Sequence, residues 1–249
     1  MSLPDVEAFE RAGLLAWPGI DIDWDGHWVR RAANGYTKRA NSLQCFAADD
    51  GAGCAARLDA AVAWFIARGV PPVVRTTPLE SAGLTAELDR RNWQSIDLSH
   101  LYAMPLAARP EADPEAEVTP LLDGQFLAAQ QALQGHDQRT MDRMAALLAA
   151  MAVPAAGVVV YRQGVPVAAG LAAIADGIVL TGNVITSAAH RRQGLGAAMM
   201  RTIHAWAHGA GARIAALNVQ ADNPAGKALY QSLGYTHQYD YSYRIPKEA

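Results

Sequence analysis

The chain alternates between segments with helical and with extended hydrophobic periodicity. Apolar residues recur at helical spacing in the segments 4–15, 55–67, 81–91, 124–134, 138–150 and 197–208. Strand-type runs occupy 28–33, 41–46, 73–77, 95–104, 157–162, 165–174, 178–186 and 214–219. The pair Asn34-Gly35 is typical of a hairpin turn between the first two strands. Strands that alternate with helices along the whole chain indicate an α/β fold.

The order of elements in the first half recurs in the second half at a fixed interval. Trp64, Gly69, Ala86 and Trp93 lie 142 positions before Trp206, Gly211, Ala228 and Tyr235. Such a repeat predicts two related halves. The segment 107–120 contains three prolines and four acids, which is typical of a linker. We therefore expect an N-terminal domain over 1–110 and a C-terminal domain over 118–249.

The composition narrows the classes of function. The chain has 249 residues, of which 51% are hydrophobic, and a net charge of −3 without a basic stripe. Binding to nucleic acid or to anionic lipid is therefore disfavoured. The uncharged run 144–161 contains Pro154 and Gly157, which favours a helix end and a buried strand over a membrane span. The acidic N-terminus differs from a secretory signal, and two cysteines without metal-ligand spacing fit a reducing compartment, so we expect a cytoplasmic protein.

A glycine-rich turn joins a strand to a helix in the second half. Gly194 and Gly196 let the backbone turn tightly and leave the first N–H groups of the helix uncovered. Such a helix start attracts phosphate groups, and Arg191 and Arg192 add two cations beside it. The spacing matches neither a P-loop nor a dinucleotide fingerprint. We expect a different phosphate-bearing cofactor here; the alternative is a tight connection with two solvated arginines.

Two consecutive motifs in the second half resemble those of one enzyme superfamily. They are R-x-x-G-x-G at Arg191, Gly194 and Gly196, and N-x-x-x-x-A-x-Y at Asn223, Ala228 and Tyr230, closed by L-G-Y. In this order and spacing they resemble the GNAT superfamily of acyl-CoA-dependent N-acetyltransferases. The resemblance covers residues 120–245, and the first half only through the internal repeat. It implies an α/β (α+β) fold with a mixed, centrally splayed sheet flanked by helices.

The resemblance also implies roles for individual residues. Acetyl-CoA would be bound by Val184, Ile185 and Thr186 along the pantetheine arm, by Arg191, Arg192, Gln193, Gly194, Leu195, Gly196 and Ala197 at the pyrophosphate, and by Asn223 at the amide chain. In the family a neutral amine attacks the thioester directly, and Tyr230 would protonate the leaving thiolate. A phenol with a pKa of about 10 can do this only within hydrogen-bond reach. The alternative for Tyr230 is a core aromatic residue.

The general base is not determined by the sequence. Where some family members carry an acid in the strand, this chain has Asn218, and asparagine cannot accept a proton at pH 7. His136, Asp137, Asp222 and His237 are candidates, but the sequence favours an exposed polar residue at each of these positions.

Two further groups of residues bear on metals and on the first half. His204 and His208 lie one helical turn apart without a third ligand, so we predict no metal site and expect both as cations near a helix end. Asp49 and Asp50 stand where the repeat would place the two arginines of the turn, and they would repel a pyrophosphate. We expect a single cofactor site, in the second half.

Two functions are compatible with these features. The first is an N-acetyltransferase that moves an acetyl group from acetyl-CoA to a primary amine of a small molecule or peptide. The second is a non-catalytic acyl-CoA-binding regulatory module. The intact turn together with Tyr230 favours the first, and Asn218 keeps the second open. Neither the amine nor the oligomeric state follows from the sequence.

Overall fold

A computed structural model describes residues 2–247. The helices are α1 (Val6–Ala16), α2 (Cys54–Ile66), α3 (Ala82–Arg90), α4 (Gly124–Gln134), α5 (Gln138–Ala149), α6 (Leu195–Gly209) and α7 (Pro224–Ser232). The strands are β1 (Asp21–Asp25), β2 (Trp28–Ala32), β3 (Leu43–Cys45), β4 (Val74–Thr76), β5 (Gln94–Pro105), β6 (Ala116–Thr119), β7 (Ala155–Arg162), β8 (Val165–Ala175), β9 (Ile178–Thr186), β10 (Ile214–Gln220) and β11 (Thr236–Ile245). Within these residues, no helix is both long and apolar enough to cross a membrane.

All strands belong to one mixed sheet, in which the two halves of the chain interleave. Its order is β1-β2-β3-β4-β11-β5-β10-β9-β8-β7-β6. The last strand, β11, lies between β4 and β5 of the first half, and β5 in turn pairs with β10 of the second half. Each half therefore contains a strand of the other, and the sheet runs through both without a break.

The predicted repeat is confirmed by the positions of the elements. Shifted by 142 residues, α3 falls on α7 residue for residue, and α2, β4 and β5 fall on α6, β10 and β11. The order of the sheet is likewise symmetric about the central pair β11 and β5, apart from the additional edge strand β6. Because these two strands are exchanged between the halves, the domain limits 1–110 and 118–249 stay a prediction.

Three features differ from the sequence expectations. The segment before β2, for which the sequence predicted no strand, contains β1, and a tight turn at Gly26 joins β1 to β2. Asn34-Gly35 does form a turn with positive φ at both residues, but a ten-residue connection with a 3₁₀ turn at Lys38–Ala40 separates β2 from β3. The expected linker 107–120 contains β6, which pairs with β7. A four-residue strand flanked by proline has too short a pattern to stand out in the sequence.

Helices cover both faces of the sheet. Val179 and Leu180 are neighbours in β9, so their side chains point to opposite faces. Val179 packs in a cluster with Met199 and Ile203 of α6, whereas Leu180 packs with Phe9 of α1. We call these the α6 face and the α1 face. The predicted α/β sheet flanked by helices is thus confirmed.

A buried ion pair fixes α1 to the sheet. Glu10 in α1 is 4% exposed and accepts hydrogen bonds from Arg75 at 2.8 Å and 3.1 Å, Gln44 at 2.8 Å and Tyr239 at 2.7 Å. Burial alone would raise the pKa of Glu10, but the charge of Arg75 and these hydrogen bonds outweigh it and lower the pKa. The partners come from β3, β4 and β11, so this carboxylate connects both halves.

His204 differs from its expected role as a cation at a helix end. It is buried in α6, and its Nε2 lies 2.7 Å from the hydroxyl of Tyr235. Burial lowers the pKa of His204 to about 4. The imidazole is therefore neutral in the folded protein at pH 7, and it serves the packing between α6 and the start of β11.

This burial predicts a pH-dependent stability. The folded pKa of His204 is depressed below the unfolded value, so stability is complete above about pH 6.5 and falls as the pH drops toward 4. We expect roughly 2–3 kcal/mol of this loss by pH 4.5. Urea unfolding of the wild type and His204→Gln at several pH values measures it. Parallel pH profiles for the two proteins would contradict the assignment.

Candidate functional site

The sheet opens between β9 and β10. These two parallel strands pair at four positions, from Ile178 with Ile214 to Thr181 with Leu217, and then separate. Just beyond this fork, β9 bulges against β8, and Asn183 adopts a positive φ of 49°. A bulge interrupts the ladder and re-aims the backbone. The second half of β9 thus presents an unpaired edge toward the gap.

The bulge is held from the α1 face. Gln130 of α4 donates a hydrogen bond from Nε2 to the carbonyl oxygen of Asn183 at 3.1 Å. The side-chain amide of Asn183 donates to the hydroxyl of Tyr36 at 3.0 Å. These contacts fix β9 at the point where it separates from β10. Side chains of the protein therefore stabilise the fork.

The glycine-rich turn leaves the start of α6 uncapped. Gly194 occupies the N-cap position with φ of 77°, and among the described residues no side chain caps the helix there. By contrast, side chains of Asp123 and Asn223 cap α4 and α7. The first amides of α6 are therefore open to an anion. Arg191 and Arg192, both exposed, lie at the entrance to the turn.

One cavity of about 560 Å³ joins these features on the α6 face. It is lined by Val184, Ile185, Thr186, His190, Arg191, Arg192, Gly194, Leu195, Gly196, Ala197, Asn223, Ala225, Gly226, Leu229 and Tyr230. These include every residue that the sequence assigns to acetyl-CoA or to proton donation except Gln193, which belongs to the turn but does not line the cavity. The individual roles stay predictions.

Sequence reasoning missed four of the lining residues. They are His190, Ala225, Gly226 and Leu229. Gly226 could have been found from helical spacing, because it lies three residues after Asn223 and four before Tyr230, on the same face of α7. Leu229 gives no such signal, because a leucine in an amphipathic helix is explained equally well by packing in the core.

Tyr230 and Asn223 lie on the same side of α7. Tyr230 is half-buried, its ring lies edge-on to Tyr235 at 6.0 Å between centroids, and burial raises the pKa of its hydroxyl. It is therefore protonated over the whole neutral range and can act as a donor. Asn223 Oδ1 accepts a hydrogen bond from the amide of Gly226 at 2.8 Å. The NH₂ group of Asn223 has no partner among the described residues and can donate to a ligand.

The matching turn in the first half is filled by protein groups. Asp50 accepts a hydrogen bond from the amide of His27 at 2.8 Å and pairs with Arg57 at 2.7 Å. Arg57 also pairs with Asp25 at 2.8 Å. An acidic turn of this kind would repel a pyrophosphate. The expectation of a single cofactor site stays a prediction.

A second cavity of about 560 Å³ lies on β4, α3 and β11. Its charged lining residues are Glu80, Asp89, Asp240 and Arg244. Three carboxylates against one guanidinium repel polyphosphate. The cavity at the glycine-rich turn is therefore the better candidate for a phosphate-bearing ligand.

Polar groups without partners flank the fork on the α1 face. Asn218 Oδ1, Arg31 Nε and Arg39 Nε are buried and have no hydrogen-bond partner among the described residues. These residues line two narrow clefts against α1. Unpaired buried polar groups are rare in folded proteins. Their concentration here marks the α1 face of the fork as a polar environment.

The four candidate bases have different surroundings. Asp137 caps α5 through the amide of Thr140, and Asp222 is exposed at the end of β10. His237 Nε2 lies 2.6 Å from Asp240 Oδ1. His136 lies edge-on to Tyr36, the residue that holds the bulged strand, at 6.5 Å between ring centroids. Of the four, His136 is thus the one with a connection to the fork from the α1 face.

Comparisons with known proteins agree with this architecture. The model of the family described as "Probable histone acetyltransferase Rv0428c C-terminal" matches residues 4–244. The uncharacterized N-acetyltransferase YobR of Bacillus subtilis is 23% identical over 256 residues, which cover 98% of this chain and all of that protein.

Solved structures show the same fold. A GCN5-related N-acetyltransferase from Kribbella flavida superposes with a TM-score of 0.76 at 20% identity and covers all of this chain and 98% of its own. A tandem GNAT protein from the clavulanic acid biosynthesis pathway has a TM-score of 0.64 at 10% identity, covering 89% of this chain and 78% of its own. The chain is therefore an acyltransferase of the family described as "Probable histone acetyltransferase Rv0428c C-terminal". Together with this family it belongs to the GNAT acyl-CoA-dependent N-acetyltransferases.

Proposed function

We propose that this chain moves an acetyl group from acetyl-CoA to a primary amine of a small molecule or peptide. The observation that carries the proposal is that the uncapped start of α6, the fork between β9 and β10, and Tyr230 converge on one cavity. Phosphate binding, a slot for an extended chain and a proton donor are the three elements that this transfer requires.

The residues of the cavity divide naturally among the parts of acetyl-CoA. The amides of Gly194, Leu195, Gly196 and Ala197 bind the pyrophosphate, because backbone donors at a helix start need close approach but no particular side chain. Arg191, Arg192 and Gln193 surround the same group from the turn. The edge of β9 at Val184, Ile185 and Thr186 hydrogen-bonds the pantetheine arm as a neighbouring strand would. The NH₂ group of Asn223 donates to a carbonyl of that arm.

The reaction then takes place at the fork. The neutral amine forms a bond to the thioester carbonyl carbon, the carbon–sulfur bond breaks, and the amine loses one proton. Backbone amides at the bulge around Asn183 stabilise the negative charge that develops on the carbonyl oxygen. Tyr230 gives its proton to the leaving thiolate and is reprotonated from solvent.

The acceptor amine approaches from the α1 face. The α6 face of the fork is taken by the cofactor, whereas the α1 face carries the unpaired polar atoms of Asn218, Arg31 and Arg39. Asn218 can orient the amine through a hydrogen bond but cannot remove its proton. His136, in contact with Tyr36, is the candidate that receives the proton through water.

An assay with a panel of amines tests the function. The protein is expected to consume acetyl-CoA with at least one primary amine and to release one thiol per acetylated product. Binding of coenzyme A without turnover on any amine would instead favour a non-catalytic acyl-CoA-binding module. The same protein preparations are titrated with coenzyme A in a calorimeter to test the cofactor site.

The cofactor site is tested with Gly196→Val. A Cβ at Gly196 would lie 2.8 Å from Leu229 Cδ2, so the Leu229 side chain has to move, and the valine adds volume to the lining of the cavity. We expect coenzyme A to bind the wild type once per chain and the variant at least about tenfold more weakly. Gly124→Val is the matched control, since Gly124 also lies in the first turn of a helix and a Cβ there meets no described atom within 4 Å. Unchanged affinity in Gly196→Val, or two sites per chain, would contradict the assignment.

A further inference from the structure

Two histidines and an aspartate meet at the centre of the sheet, outside the cavity at the glycine-rich turn. His100 on β5 lies directly across from Asp240 on β11 in the register of the sheet. His100 Nδ1 and His237 Nε2 each lie 2.6 Å from Asp240 Oδ1. One ligand atom from each of the three side chains lies within 4.8 Å of the other two.

A β-bulge creates this arrangement. In a regular strand, side chains three residues apart point to opposite faces, so His237 and Asp240 would be separated by the sheet. The register of β11 against β5 shifts between His237 and Tyr239, and the extra residue brings His237 onto the face of Asp240. Bulges commonly re-aim a side chain in this way. Strand β11 therefore departs from regular pairing just after His237, which is where it must do so for His237 and Asp240 to meet.

Aromatic contacts hold the two imidazoles in place. The ring of Tyr102 lies 6.2 Å from that of His100 and 5.8 Å from that of His237, and the two imidazoles are 5.2 Å apart. All three pairs are edge-on, which is a favourable aromatic geometry. The ligand atoms are thus positioned by packing as well as by their hydrogen bonds to Asp240.

We propose that His100, His237 and Asp240 form a binding site for a divalent transition-metal ion of the zinc type. Imidazole nitrogen and carboxylate oxygen are ligands that such ions prefer, and three protein ligands leave a position for water. That position faces solvent, because the side chains of His237 and Asp240 are 46% and 55% exposed. On binding, the ion takes the place of the N–H protons through which the two imidazoles hydrogen-bond to the carboxylate.

The site would connect the two halves of the chain. One ligand comes from β5 and two from β11, the strands that are exchanged at the middle of the sheet. The positions related to the ligands by the 142-residue repeat hold Ser242, Ser95 and Leu98. These side chains cannot form an equivalent site, so we expect one ion per chain. The bound ion stabilises the pairing of β5 with β11 at the centre of the sheet.

This proposal is independent of the acetyl transfer. None of the three ligands lines the cavity with Tyr230. Loss of metal binding and loss of acetylation are therefore separable results.

Titration with Zn²⁺ and with Co²⁺ tests the site in the full-length protein. We expect one ion per chain in calorimetry, absorption bands of Co²⁺ that report coordination by nitrogen and oxygen, and a Tm that rises by several degrees in excess Zn²⁺. His237→Gln and Asp240→Asn should each weaken binding at least about tenfold and abolish the rise in Tm. His27→Gln is the matched control, because His27 is an exposed histidine of the first half outside the cluster.

Several outcomes would overturn the proposal. These are equal Zn²⁺ affinity in the wild type, His237→Gln and Asp240→Asn; an equal loss in His27→Gln; or the absence of binding to the wild type. Both ligand variants change exposed side chains, and their melting curves in metal-free buffer show whether the fold is retained. A variant that melts well below the wild type without metal is replaced by His237→Asn, which tests the same ligand.

Discussion

Tyr230→Phe is expected to lower the turnover of acetyl-CoA by about 10²–10⁴-fold, the usual contribution of a general acid. The change removes only the hydroxyl and keeps the ring, which packs edge-on to Tyr235. Coenzyme A affinity and Tm should therefore barely change. Steady-state kinetics with an accepted amine, together with calorimetry, separates the loss of proton donation from a loss of binding.

The pH dependence of the variant gives a second readout. Burial raises the pKa of Tyr230, so the wild-type hydroxyl stays protonated through the neutral range. In Tyr230→Phe the thiolate has to take its proton from solvent, which becomes easier as the pH falls, and the difference in turnover should shrink accordingly. Tyr161→Phe is the matched control, since burial also raises the pKa of Tyr161 and this residue lies on β7 away from the cavity. Wild-type turnover in Tyr230→Phe would return the residue to the role of a core aromatic.

Glu10→Gln is expected to lower the free energy of unfolding by about 3–5 kcal/mol, because it leaves a buried charge without its partner. Arg75 is 3% exposed and would keep its guanidinium in the core. Arg31, 1% exposed, lies in the same network, where burial and the charge of Arg75 lower its pKa to about 10. Without Glu10, two buried cations face each other. Urea unfolding at pH 7 measures the loss.

Glu7→Gln is the control for this change. Glu7 lies one turn earlier in α1 and pairs with Arg11 at 2.7 Å, but both side chains are exposed. Surface pairs of this kind contribute about 0–1 kcal/mol. The double variant Glu10→Gln/Arg75→Met should recover part of the stability, since it removes the uncompensated charge together with its lost partner. An equal effect of Glu7→Gln and Glu10→Gln would contradict the role of the buried pair.

The sign of the pH effect follows from the direction of the pKa shift. The pKa of Glu10 is lowered in the folded protein, so the pair contributes its stability above the ordinary pKa of a glutamate. That contribution is lost as the pH falls through the folded value. Below pH 6.5, protonation of His204 adds a loss of its own, and comparison of Glu10→Gln with His204→Gln distinguishes the two.

The sequence by itself determined most of the helices and strands and the family. Helices over 4–15, 55–67, 81–91, 124–134, 138–150 and 197–208 each correspond to one observed helix. This is possible because hydrophobic periodicity, caps and glycine stops are local signals that act within a few residues of each other. The glycine-rich turn and the second motif are also local, and they identified the superfamily. The repeat at an interval of 142 residues indicated two related halves without any information on strand pairing.

The order of the strands was decided only by the tertiary structure. Nothing local in Thr236–Ile245 indicates that it enters the first half between β4 and β5, since strand pairing joins residues far apart in the chain. The same reason applies to the buried side chains. Glu10 and His204 look like surface residues in the sequence, and they are buried because partners 65 and 31 positions away satisfy them. His100 and His237 meet only because the strands are exchanged and β11 bulges, and a bulge is invisible to a pattern that counts alternate residues.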